Sequence, residues 1–87
     1  MYAHDVHAWA LFGNGRFPEA DAAARLALAT GIRDVELLYH AGLIAAAVGD
    51  EGRARALLTD ALEINPRFDV VEAPIAAEAL ERLDGRP

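Results

Sequence analysis

The stretch that decides the fold is VELLYHAGLIAAAVGDEGRARALLTDALEINPRF, residues Val35 to Phe68. It divides at Gly49. Asp34 stands where a helix N-cap belongs, and the apolar run from Val35 to Val48 ends at a glycine that can take the left-handed cap. Asp50 can cap a second helix, which reaches Ile64 and stops before Asn65-Pro66, because proline cannot continue it. In that second helix Ala54, Leu57, Leu58, Ala61 and Leu62 recur at helical spacing, with Arg53, Arg55 and Glu63 on the wetter side. The first helix of the stretch is apolar almost all round, so it must be covered on more than one side and belongs in the middle.

Working outward, upstream residues give two more helices. One runs from about His4 to Phe12 and ends at Gly13-Asn14-Gly15, a strong turn signal. The next begins at Phe17-Pro18-Glu19, with proline suited to the first helical turn and Glu19 favourable to the helix dipole, and runs to Ala29 before Thr30-Gly31. Downstream, a fifth helix starts near Pro74 and carries Ile75, Ala79, Leu80 and Leu83, with Glu78, Glu81 and Arg82 outward. Asp84 to Pro87 is expected to fray. The short connections predict antiparallel neighbours. The core is expected from Leu11, Ala20, Ala24, Ala27, Leu28, Leu38, Ala41, Ala45, Val48, Ala54, Leu58, Ala61, Leu62, Phe68, Ile75 and Leu80.

A shift of 34 residues aligns the chain with itself: Gly15 falls on Gly49, Ala20 on Ala54, Ala27 on Ala61, Leu28 on Leu62 and Arg33 on Arg67. Thirty-four residues is the period of the tetratricopeptide repeat. Residues 35–68 resemble that family through Leu38, Ala41, Gly42 and Ala45, then Ala54 and Leu58, then Ala61 and Pro66. Residues 1–34 resemble a degenerate repeat, with Gly15, Phe17, Ala20, Ala24 and Ala27 in place but His4 and His7 where large apolar residues are expected. Residues 69–87 take the place of a capping helix. The resemblance implies one all-α domain over 1–87, a tetratricopeptide-like α-solenoid of two antiparallel hairpins plus a C-terminal cap. It also implies the C-terminal segment of a larger bacterial repeat protein.

The composition excludes several functions. The 87 residues fit one small domain, and no cysteine is available for disulfides or thiolate metal sites. A net charge of -6, with scattered arginines and no lysine, argues against nucleic acid as a partner. The start lacks a basic segment followed by an apolar run, and Val35–Val48 is too short to span a bilayer, so a soluble cytoplasmic protein is expected. Without serine or cysteine an acyl-transfer nucleophile is hard to build, and acidic pairs such as Asp50 with Glu51 read as solvated; the chain is not expected to be an enzyme.

In tetratricopeptide geometry the first helix of each hairpin lines the concave surface. Carried over by alignment, this implies a partner-binding face of Tyr2, Asp5, Trp9, Phe12, Glu36, Tyr39, His40 and Leu43. Trp9, Phe12, Tyr39 and Leu43 would form an aromatic and apolar strip, the material of binding hot spots; Trp9 and Phe12 read equally as core, while Tyr39 reads more as binding surface. The family's cationic carboxylate clamp has no counterpart at Asp5, Val6, Trp9, Tyr39 and His40. His4 and His7, one turn apart, could share a metal with His40 as a distant third ligand, but chance spacing explains the pair better, and no metal or cofactor is expected. The function expected is that of a protein-interaction or scaffold module taking a peptide or partner helix. The alternative is a capping or self-association segment of a larger protein, with a homodimer as one form.

Overall fold

Among the described residues of the computed structural model, five helices follow one another: α1 (Tyr2–Gly13), α2 (Phe17–Leu28), α3 (Val35–Ala47), α4 (Glu51–Ile64) and α5 (Glu72–Asp84). The structure describes residues 2–31, 34–67 and 69–84, the side chains of 2–6 and 84 excepted. Local chemistry sets the boundaries. Asp34 Oδ1 accepts from Leu37 N at 3.1 Å and Asp50 Oδ1 from Arg53 N at 3.3 Å, so each side chain satisfies a backbone donor that its helix leaves open. The turns after α1, α2 and α3 rest on Gly15, Gly31 and Gly49, with φ of 76°, 81° and 88°, a region costly for residues bearing a Cβ. α5 begins at Glu72, earlier than the expected start near Pro74. Its cap is Asp69, whose Oδ1 accepts from Val71 N at 2.8 Å and Glu72 N at 2.9 Å.

Each helix packs on the next, and α3 also meets α1 and α5. The expected central placement of α3 holds: eight of its 13 residues are buried. One cluster joins α1, α2 and α3 through Ala8, Ala20, Ala24, Ala41 and Ile44. The other joins α3, α4 and α5 through Leu38, Tyr39, Leu58, Ala61 and Ala76. Leu37, Leu38, Ile44 and Leu58 are the largest fully buried side chains, each contributing about 1.5–3 kcal/mol. Much of the rest is alanine, which contributes less area but lets helices approach. At the α3–α4 crossing a Cβ on Gly42 would lie 2.7 Å from Leu58 Cγ and 2.8 Å from Cδ2, so this contact needs glycine.

The expected tetratricopeptide-like α-solenoid is corrected. The radius of gyration is 11.9 Å, that of a globule of this length (about 12 Å), and the extents are 33 × 25 × 21 Å. The contacts of α1 and α5 on α3 close the helices into a compact bundle, and the helical-repeat reading falls with the elongated shape. Two core expectations also change. Val48 caps α3 beyond its last turn and is 37% exposed, while Ile75 is 42% exposed because Ala73 and Ala76 are the residues that α5 turns inward. Phe68 lies outside the described residues. No helix among them is long and apolar enough to cross a membrane.

Candidate functional site

Two helix N-termini bring acidic side chains together. The Asp34 cap fixes the first turn of α3 and so places Glu36, with His40 one turn further on the same face. The Asp69 cap does the same for α5 and places Glu72 in its first turn. One ligand atom from each of Glu36, His40 and Glu72 can be chosen so that all three lie within 4.8 Å of one another. His40 Nε2 stands 3.8 Å from Glu36 Oε1. Above the imidazole lies the Trp9 indole, stacked at 3.9 Å between ring centroids with 16° between planes. His40 is 9% exposed.

The electrostatics of this corner are unusual. Burial raises the Glu36 carboxyl, and the Glu72 carboxyl against it raises it further, with added repulsion from Asp69 and Asp34; together they push its pKa up to about 7. The same surroundings act on Tyr39, whose phenol is pushed up to about 12 by burial and by Glu72, Glu36 and Asp69. Glu72 Oε1 is buried with no hydrogen-bond partner. Two ionised carboxylates cannot donate to each other, so Glu36 and Glu72 share a hydrogen bond only when a proton sits between them. The positive ends of the α3 and α5 dipoles favour the negative charge gathered here.

The structure brings some of the expected partner-binding residues together and separates others. Trp9, Tyr39 and His40 form one aromatic group, with Trp9 stacked on Phe12 at 4.9 Å and Phe12 against Phe17 at 5.4 Å. Trp9 and Phe12 are half-buried, whereas Tyr39, expected on the binding surface, is only 2% exposed and belongs to the core. Leu43 is half-buried and lines a shallow groove with Ala46, Glu51, Ala79, Arg82 and Leu83. The side chains of Tyr2, Asp5 and His4 lie outside those described, and His7 is exposed. Sequence reasoning missed Glu72. Glu78 and Glu81, further along α5, draw attention instead, and only the packing of α5 on α3 carries Glu72 to Glu36.

Apolar surface is exposed elsewhere, at the α4–α5 corner. Val70 is 93% exposed and Val71 63%, with Ile75 at 42% on the following turn. Pro66, Val70, Ala73, Pro74 and Ala77 line one groove there, flanked by Arg67 and Asp69. This is a partly apolar surface on an all-helical protein, of the general kind that meets other proteins. Comparison with protein-family models, with curated proteins and with solved structures finds no match to this chain, so a functional reading rests on these two surfaces.

Proposed function

We propose that the chain is a protein-interaction module rather than an enzyme, and that it takes a short apolar or amphipathic segment of a partner in the α4–α5 groove. The observation that carries this reading is Val70, a large aliphatic side chain 93% exposed on the rim of a groove lined by prolines and alanines. Isolated exposed aliphatic residues are ordinary. Here Val70, Val71 and Ile75 lie within two turns of chain beside a concave apolar floor, which is less ordinary. Arg67 and Asp69 at the rim would orient a segment bearing one charge of each sign without demanding a strongly charged partner. The aromatic strip expected from the sequence is less suited to docking, since burial of Tyr39 breaks its continuity.

Val70→Asp tests the proposal. A displayed library of short peptides, read by fluorescence anisotropy on the selected binders, should give sequences with two or three apolar anchors whose affinity falls about tenfold or more in the variant. Stability should hardly change, because Val70 buries almost nothing. Binders that ignore Val70→Asp would sink the α4–α5 assignment. Light scattering on both proteins separates a second copy of this chain from a foreign partner: a dimer that the variant dissociates would make self-association the groove's use.

A further inference from the structure

We infer that Glu36, His40 and Glu72 form a binding site for a divalent transition-metal ion, zinc by donor chemistry, which ties α5 to α3. The inference does not depend on the docking groove, which lies outside this cluster.

Three independent observations support it. First, the donors are of mixed type and come from two helices. One imidazole nitrogen and one oxygen from each of two carboxylates lie within 4.8 Å of one another. Ligands around a tetrahedral zinc at about 2.0–2.2 Å sit roughly 3.3–3.6 Å apart, so a rotamer adjustment of the two glutamates closes the set. Second, the imidazole is held in place: His40 is 9% exposed, packed beneath the Trp9 ring, with Nε2 directed to the Glu36 carboxylate at 3.8 Å. Third, Glu72 Oε1 is buried and receives no hydrogen bond. A desolvated carboxylate oxygen costs free energy unless something positive meets it, and none of the described arginines does so.

The donor set narrows the ion. Calcium and magnesium prefer all-oxygen shells of six or more ligands, and a copper(I) site would want sulfur, which the chain lacks in cysteine. One nitrogen and two carboxylate oxygens suit zinc, with manganese and iron(II) weaker by the usual order. Three protein ligands leave a fourth position for water or for a side chain brought by a partner.

The ion would act as a staple. α5 meets α3 less extensively than it meets α4, and Glu72 in its first turn comes close to Glu36 and His40 of α3. A metal bridging Glu72 to Glu36 and His40 would couple the position of α5 to the ion.

The test uses the untagged 87-residue chain, stripped with chelator. Titration calorimetry with zinc should show one equivalent bound, and excess zinc at about a hundred times Kd should raise Tm on the order of 10 °C. Cobalt(II) should quench the fluorescence of Trp9, the only tryptophan, because Trp9 stacks on the ligating ring. Glu36→Gln and Glu72→Gln should each weaken zinc by about tenfold or more, circular dichroism confirming that both remain helical. His7→Ala should change nothing, which separates this site from the exposed His7 near the N-terminus. Absence of saturable binding at tens of micromolar zinc overturns the proposal. So does binding that survives both glutamate variants, or that His7→Ala abolishes.

Discussion

Asp21 on α2 and Glu36 on α3 are both carboxylates in helix–helix contacts, and their surroundings push them in opposite directions. Asp21 is the more enclosed, its side chain 13% exposed against 47% for Glu36. Burial alone would raise both carboxyls. Yet at Asp21 hydrogen bonds from Arg53 and Arg25, and their charge, outweigh that burial and hold its carboxyl below the usual range. Arg25 Nε donates to it at 2.9 Å, Arg53 reaches it across from α4, and Arg53 also donates to the Asp50 cap at 3.0 Å. Glu36 is raised by its own burial first, and Glu72, Asp69 and Asp34 against it raise it further. Burial raises both carboxyls, and the sign of the neighbours then decides whether that rise is reversed, as at Asp21, or extended, as at Glu36. The Asp21 contact is closed by two arginines, while among the described residues no arginine meets the Glu36–Glu72 pair.

The variant that strikes both contacts at once should have the largest effect. Gly42→Ala puts a methyl group 2.7 Å from Leu58 Cγ, and Leu58, fully buried, has nowhere to move. α3 carries Glu36 and α4 carries Arg53, so prying the two helices apart disturbs both carboxylate centres. Overpacking outweighs the helix propensity gained, for a net loss of about 2 kcal/mol in urea unfolding. An unchanged midpoint would mean that the α3–α4 crossing has slack.

Arg53→Ala comes next and acts on one contact only. It removes a charged partner from Asp21 and from Asp50, leaving Arg25, whose side chain is 57% exposed, as the remaining cation. A loss of about 1–2 kcal/mol is expected, less than for a fully buried pair because Arg25 and water still reach Asp21. The variant should also raise the Asp21 pKa, visible by NMR titration. If Asp21 titrates as before, Arg25 alone accounts for its depression.

How much of this is legible in the sequence follows from the range of each interaction. Asp34, Asp50 and the turn glycines act within four residues, so their helices stand where the sequence puts them. α5 starts early because its cap is Asp69, three residues before Glu72, a signal that Pro74 eclipses. Alanine and leucine spacing shows which faces are buried, and α3 is central as its unbroken apolar surface requires. The closing of α1 and α5 onto α3 depends on contacts between residues far apart in the chain, and a local repeat of 34 residues does not reveal it. The same holds for the candidate site. His40 is visible as a histidine on an apolar helix, but Glu72 becomes its neighbour only through that packing.

Glu72→Gln turns the comparison around. In chelator at pH 8 the wild-type pair repels, while a glutamine amide can donate to Glu36 and relieve it. The metal-free variant should therefore be more stable by about 1 kcal/mol, a gain that comes from removing a charge. A loss of stability instead would show that Glu72 has a partner in solution that its buried Oε1 lacks here.

The smallest effect concerns pH, and there the two contacts should part company. Glu36 has a folded-state pKa raised from 4.5 to about 7, so its protonated form is favoured by folding. Its contribution is therefore full below pH 4.5 and is lost as pH rises through about 7. Asp21 has the opposite sign: its contribution is present above its ordinary 3.8 and is lost as pH falls through its depressed value. The groups that face Glu36 are Asp34 and His40 from its own segment, with Tyr39 beside them, and Asp69 and Glu72 across from it. Its side chain is 47% exposed, and water screens the shift, so the change between pH 5 and pH 8 should stay within about 1 kcal/mol. Urea midpoints of the chelator-treated protein should fall over that interval, and Glu36→Gln should flatten the fall. A midpoint that rises from pH 5 to pH 8 would mean that the proton shared between Glu36 and Glu72 does not hold α5 in place.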